Sequence, residues 1–253
     1  MKKTNWKPTD KRFVAFLDIL GFKDSIMRNS HDEIYAQLSI INKFKNTIES
    51  SSNENLEEYY SDSDVYVVNF SDSIVIFSKN DSVFNFEYFI VMVRYLFGKC
   101  IDNKIPIKGG IAYGEISLNK SEQIYFGQPI IDAYLLEEDV NHLGITFHNS
   151  IDKYLSDNKT QIDDLKYLDK AIFNYKVPLK YGKLKHNNIN WFKILMDSKE
   201  SDDFELKKQE IVTKLSSFYT TCSGNPRKYI DNTIELFSEL VDNKVIDLNK
   251  LKT

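Results

Sequence analysis

From Phe13 to Leu20 every position is apolar except Asp18, and Gly21 ends the run. Such a pattern predicts a buried strand leading into a turn. Ile34, Leu38, Ile41, Phe44 and Ile48 then recur at helical spacing and predict an amphipathic helix. The polar tract from Ser50 to Glu58 reads as a loop. Val65 to Phe70 and Ile74 to Phe77 are two short β-rich runs that meet at Ser71, Asp72 and Ser73, a hairpin with Asp72 at its tip. Ser82 to Lys99 predicts a second helix, dense in aromatics and therefore buried. Pro106 opens a strand from Ile107 to Ile116, whose Gly109, Gly110 and Gly114 suggest close approach of another backbone or a ligand. After the break at residues 126–129 comes a helix from Ile130 to about Asn141, then a strand from Gly144 to Phe147.

The order β-α-β-β-α-β-α-β predicts an α+β fold: a ferredoxin-like palm with an antiparallel-rich sheet and helices on one face. Residues 150–185 are polar and mixed, with a loop near Asn158, and Ile189 to Leu195 reads as a late strand. Asn225-Pro226 starts a last helix whose buried face is Ile230, Ile234, Leu236, Phe237 and Leu240. With no internal repeat and no clear linker, residues 1–253 read as one domain with a helical C-terminal extension.

Composition narrows the class. Apolar residues make up 42% and aromatics 13%, which suits a folded chain of this length. A net charge of −4 gives no footprint for non-specific nucleic-acid binding. Cys100 and Cys222 are too few and too scattered for a disulfide framework or a zinc site. The N-terminus lacks a signal-peptide core, and the most apolar stretch, Phe84 to Phe97, holds Glu87 and Arg94 and is too short to span a bilayer. A reduced cytoplasm is the expected compartment.

The candidate chemistry begins with Asp18 and Asp72. A carboxylate in apolar surroundings is costly unless it is compensated, and two brought together repel. A divalent cation between them is the natural remedy. The turn Ile19-Leu20-Gly21-Phe22 would offer backbone N–H groups to phosphate oxygens, with Gly21 permitting close approach. The plain alternative is one helix-capping and one hairpin aspartate. His31-Asp32 is better explained as a surface helix start than as half of a metal pair, and no P-loop is present.

Residues 16–22, Phe-Leu-Asp-Ile-Leu-Gly-Phe, resemble the first metal motif of class III nucleotidyl cyclases. Phe70-Ser71-Asp72 resembles the second. Ile107 to Glu115 falls on the family's central strand and Gly127 to Glu137 on its following helix. The resemblance spans residues 12 to 148, with 149–253 completing the domain and the dimer. It implies two divalent cations, Mn²⁺ or Mg²⁺, held by Asp18, Asp72 and the backbone carbonyl of Ile19. It also implies a nucleoside triphosphate substrate and a homodimer with shared active sites.

The departures are informative. Where purine cyclases carry a base-reading lysine, its partner acid, and the asparagine and arginine that stabilise the transition state, this chain has Val68, Ile124, Ile131 and Leu135. An intact metal half and a replaced purine half resemble the bacterial pyrimidine cyclases of Pycsar anti-phage systems. The implied activity is conversion of UTP to cyclic UMP, with CTP to cyclic CMP as the alternative; the product would activate a companion effector. A purine cyclase with substitute contacts and a non-catalytic nucleotide-binding module are the rivals. Phe13 resembles a pocket-lining residue, though core packing explains it equally. Leu20, Gly21 and Phe22 would bind substrate through the turn, and Lys108 could reach the triphosphate. Arg94 must find an anion, either a carboxylate such as Glu87 seven residues earlier or a phosphate. Asp132 and Tyr134 could face a dimer partner, with a solvated helix face explaining Asp132 as well.

Overall fold

The computed structural model describes residues 6–50, 59–168, 170–192, 195, 204–220 and 224–246. β1 (Thr9–Ile19) leads through a turn at Gly21 into α1 (Phe22–Arg28) and α2 (His31–Ser50). β2 (Val65–Phe70) and β3 (Ser73–Ser78) form the hairpin, followed by α3 (Val83–Asp102) and β4 (Ile107–Asn119). Short β5 (Ile124–Phe126), α4 (Gln128–Asp139) and β6 (Ile145–Phe147) come next. The chain continues with α5 (Asn149–Asp157), α6 (Lys159–Asp163), β7 (Ile172–Leu179), β8 (Gly182–Ile189), α7 (Phe204–Ser216), a 3₁₀ turn (Ser217–Thr220) and α8 (Pro226–Asp242).

These elements make an α+β fold around one eight-stranded sheet of order β2-β3-β1-β4-β6-β8-β7, with β5 paired on β4. β4 and β6 run parallel and every other pair is antiparallel. Alternation along β1 sends Phe13, Ala15, Leu17 and Ile19 to a large core shared with α2, α3, α5 and α8. Val14 goes to the opposite face, where it packs with Phe77, Ala112, Ile116 and Ala133 of α4. Most of the described helices therefore share one face, and among the described helices α4 alone covers part of the other.

Local chemistry explains the boundaries. Ser82 caps α3 by accepting the Asn85 N–H, and at α2 Ser30 and Glu33 satisfy each other's backbone N–H groups, a capping box. Gly21, at φ 72°, turns the chain from β1 into α1 where a residue with a Cβ would be strained. No described helix is long and apolar enough to cross a membrane.

Two sequence expectations change. The late strand at 189–195 is instead β8, ending at Ile189. Trp191 and Phe192 leave the sheet and stack on each other between Phe97 and Phe237. The loop expected near Asn158 is the junction of α5 and α6. The tract 51–58 and Cys222 lie outside the described residues.

Candidate active site

Asp18 is the penultimate residue of β1, and its cross-strand neighbours are Ser73 on β3 and Lys108 on β4. It lies on the α4 side of the sheet, in phase with Val14. Asp72 occupies the two-residue turn between β2 and β3, beside Ser71 at φ 57°. Ile19 N–H donates to the Asp72 carbonyl at 3.1 Å, fastening that turn to the end of β1. The end of a central strand and the tip of its neighbouring hairpin thus bring the two acids together.

Charge is crowded here. The Asp18 carboxyl is pushed up to about 7, first by burial and then by Glu137, Asp72 and Glu138, with Lys108 pulling the other way. Burial also pushes Glu137 up against the pull of Lys108. Glu137 is the residue the sequence reading missed. Lys108 Nζ stands 2.8 Å from Glu137 Oε1 and donates to the Glu137 carbonyl at 2.6 Å. The two side chains are 6% and 2% exposed. The geometry to Oε1 is that of an ion pair rather than of a well-directed hydrogen bond. The available signal was helical phase: Glu137 lies one turn beyond Ala133, on the sheet-facing side, but three consecutive acids at 137–139 look like a solvated helix end.

Small residues set this arrangement. A Cβ on Gly110 would meet the Ala133 carbonyl at 2.4 Å and the Glu137 nitrogen at 3.0 Å, so glycine lets α4 lie directly on β4. No cluster of three or more His, Cys, Asp or Glu among the described residues is arranged to hold a metal ion unaided. Two carboxylates completed by substrate phosphates are instead a donor set used for Mg²⁺. Asp18 and Asp72 fit it, because the accumulated negative charge is what a divalent cation would relieve.

The remaining expected site residues separate. Phe13 is fully buried on the helix-rich face, its ring 4.9 Å from Phe86, 5.1 Å from Tyr113 and 4.8 Å from Tyr154; its contacts are those of the core. Lys108 is committed to Glu137 rather than directed toward an open phosphate site. Leu20, whose N–H is tied to the Pro106 carbonyl at 2.8 Å, joins Gly21 and Phe22 in the wall of a hollow of about 560 Å³. Arg28 and Lys104 supply cations to that wall, whereas Arg94 does not line it. Glu87, wholly buried, accepts the N–H groups of Tyr167 and Leu168. Val68 is half-buried, while Ile124, Ile131 and Leu135 are exposed, and His31 opens α2 at the surface.

No protein-family model matches the sequence, and no curated protein matches it either. Solved structures resemble the fold at a distance. A bacterial light-regulated adenylyl cyclase is 12% identical, with a TM-score of 0.46 over 73% of this chain and 92% of that one. The catalytic core of a rhodopsin-guanylyl cyclase with converted specificity, in complex with ATPαS, is 14% identical with a TM-score of 0.49 over 72% and 96%. The adenylyl cyclase CyaB from P. aeruginosa is 15% identical, TM-score 0.41, over 72% and 94%. Identities this low and TM-scores under 0.5 mark distant resemblances in the path of the chain.

Proposed function

We propose that this chain is a metal-dependent nucleotide cyclase. It would convert a nucleoside triphosphate, UTP first and CTP as the alternative, into a 3′,5′-cyclic monophosphate and pyrophosphate. The observation that carries the reading is the pairing of Asp18 and Asp72 at the adjoining end of β1 and tip of β2–β3, inside a cluster of acids. Asp18, Asp72 and the Ile19 carbonyl are the groups that would hold two divalent cations, Mn²⁺ or Mg²⁺. Bound there, such cations would supply Lewis acidity toward the attacking 3′-hydroxyl and charge neutralisation for the leaving pyrophosphate. The chain's own part is to fix the acids on a rigid strand and a tight turn, and to place Gly21 and Phe22 beside them for the phosphates, the Leu20 N–H being held by Pro106.

The pyrimidine preference rests on what the purine-reading positions lack. Val68 and Ile124 present no polar group to a base, which supports a pyrimidine substrate. Exposed apolar side chains at Phe70, Phe126, Ile131, Tyr134 and Leu135 support a second copy of the chain as partner. The cyclic product would act as the signal of an anti-phage system through a companion effector. A second reading, a non-catalytic nucleotide-binding module, is favoured by the aliphatic Ile131 and Leu135 on α4, which cannot stabilise a transition state.

Incubation with each of the four nucleoside triphosphates and Mn²⁺ separates the readings. The expected result is cyclic UMP, or cyclic CMP, from the wild type and a loss of at least about 100-fold in Asp72→Ala. No cyclic product from any triphosphate with the wild type would overturn the enzyme. A cyclic purine product would overturn the base preference alone.

A further inference from the structure

Asp18 has a lysine as its direct cross-strand neighbour on the same face, at a separation where opposite charges ordinarily pair. Yet among the described residues no hydrogen bond or ion pair joins Lys108 to Asp18. Lys108 is drawn the other way, onto the carboxylate and the carbonyl of Glu137, with its ammonium 5.5 Å from the ring centre of Tyr229 on α8. Gly110 and Ala133 bring α4 close enough for that diversion. Glu138 and Lys180 also act on Glu137, but both stand at the surface, paired with each other at 3.5 Å.

We propose that Glu137 is a positioning residue that retains Lys108, so that the carboxylate of Asp18 is left free to take a divalent cation. The inference rests on the metal reading of Asp18 and Asp72. Without the charge on Glu137, the Lys108 ammonium is left facing the Asp18 carboxylate on the adjoining strand, and lysine and metal then compete for one carboxylate. An ordinary structural salt bridge predicts a different pattern, because losing either partner or both would only loosen α4.

The test is Mn²⁺ binding to the full-length chain, followed by electron paramagnetic resonance, with thermal melts confirming that each variant is folded. Glu137→Gln keeps the shape of the side chain and should weaken Mn²⁺ binding about tenfold, as an adjacent competing cation does. Adding Lys108→Met to Glu137→Gln should restore affinity to within about threefold of wild type. Lys108→Met alone should bind no more weakly than wild type. Unchanged binding in Glu137→Gln, or equal weakening in the single and double variants, would overturn the proposal. So would weakening in Lys108→Met alone. Asp72→Ala reports on the underlying reading: if it binds Mn²⁺ as well as wild type, or if wild type binds none, the metal site itself is overturned.

Discussion

Burial first, and then the charges of Glu137, Asp72 and Glu138, make the Asp18 carboxyl hold its proton late, to about 7 against its ordinary 3.8. Between those two values the folded chain keeps a proton that the unfolded chain has released. Stability therefore falls as pH rises through that window, and the penalty is complete above it. Asp18→Asn removes the penalty. In metal-free buffer its melting temperature should exceed that of wild type by a margin that grows from about pH 4 to about pH 8. A margin that ignores pH would mean that the crowding is not felt. Mn²⁺ should also raise the melting temperature of wild type more above pH 7 than below it, since the metal needs the ionised acid. A second residue-level test lies far from the site. Glu87→Ala leaves the N–H groups of Tyr167 and Leu168 without their acceptor, and should cost about 2–4 kcal/mol in urea denaturation. Asp18 and Asp72 were legible in the sequence because each interrupts an apolar strand context. The role of Glu87 was not, because its partners are backbone groups some eighty residues away.

At the level of elements, α4 is the piece that brings Glu137 over the end of β4, next to the proposed site. Its approach depends on Gly110, so Gly110→Ala should push the helix off β4 and cost about 1–3 kcal/mol, measurable by chemical denaturation. The glycine pair in β4 announced a close approach; which backbone came close depended on where a helix some twenty residues later would land. The β7–β8 hairpin was hidden for a different reason. Residues 182–185 at its turn end are exposed, so β8 lacks apolar alternation there. The short apolar run after Ile189 carries the aromatic weight without being a strand: Trp191 and Phe192 serve as a packed bridge from α3 to α8. A run that short carries no period to distinguish strand from helix or loop.

For the whole molecule, residues 12–148 and the C-terminal part share one sheet. Thr146 on β6 pairs with Asn188 on β8 through backbone register and a 2.9 Å side-chain hydrogen bond. A chain cut after residue 148 should therefore lose the cooperative melt of the full-length protein; a cooperative melt of the fragment would make residues 12–148 a domain by themselves. The exposed face of α4 gives a prediction about assembly. Sedimentation should show a dimer for wild type and a monomer for Leu135→Lys, since a charge placed in an apolar contact opposes its closure.

The sequence by itself determined the main strands and helices of the first half, though not β5 or the separation of α1 from α2, and it placed one acid at a strand end and the other at a hairpin tip. Those features are written in periodicity and turn chemistry over stretches of about ten residues. Only the tertiary structure decided which face α4 covers, and that Lys108 turns to Glu137 instead of toward a phosphate. Those outcomes depend on how closely two backbones pack at Gly110 and Ala133, and on the burial that follows. No local pattern encodes a contact between charges held together by that packing.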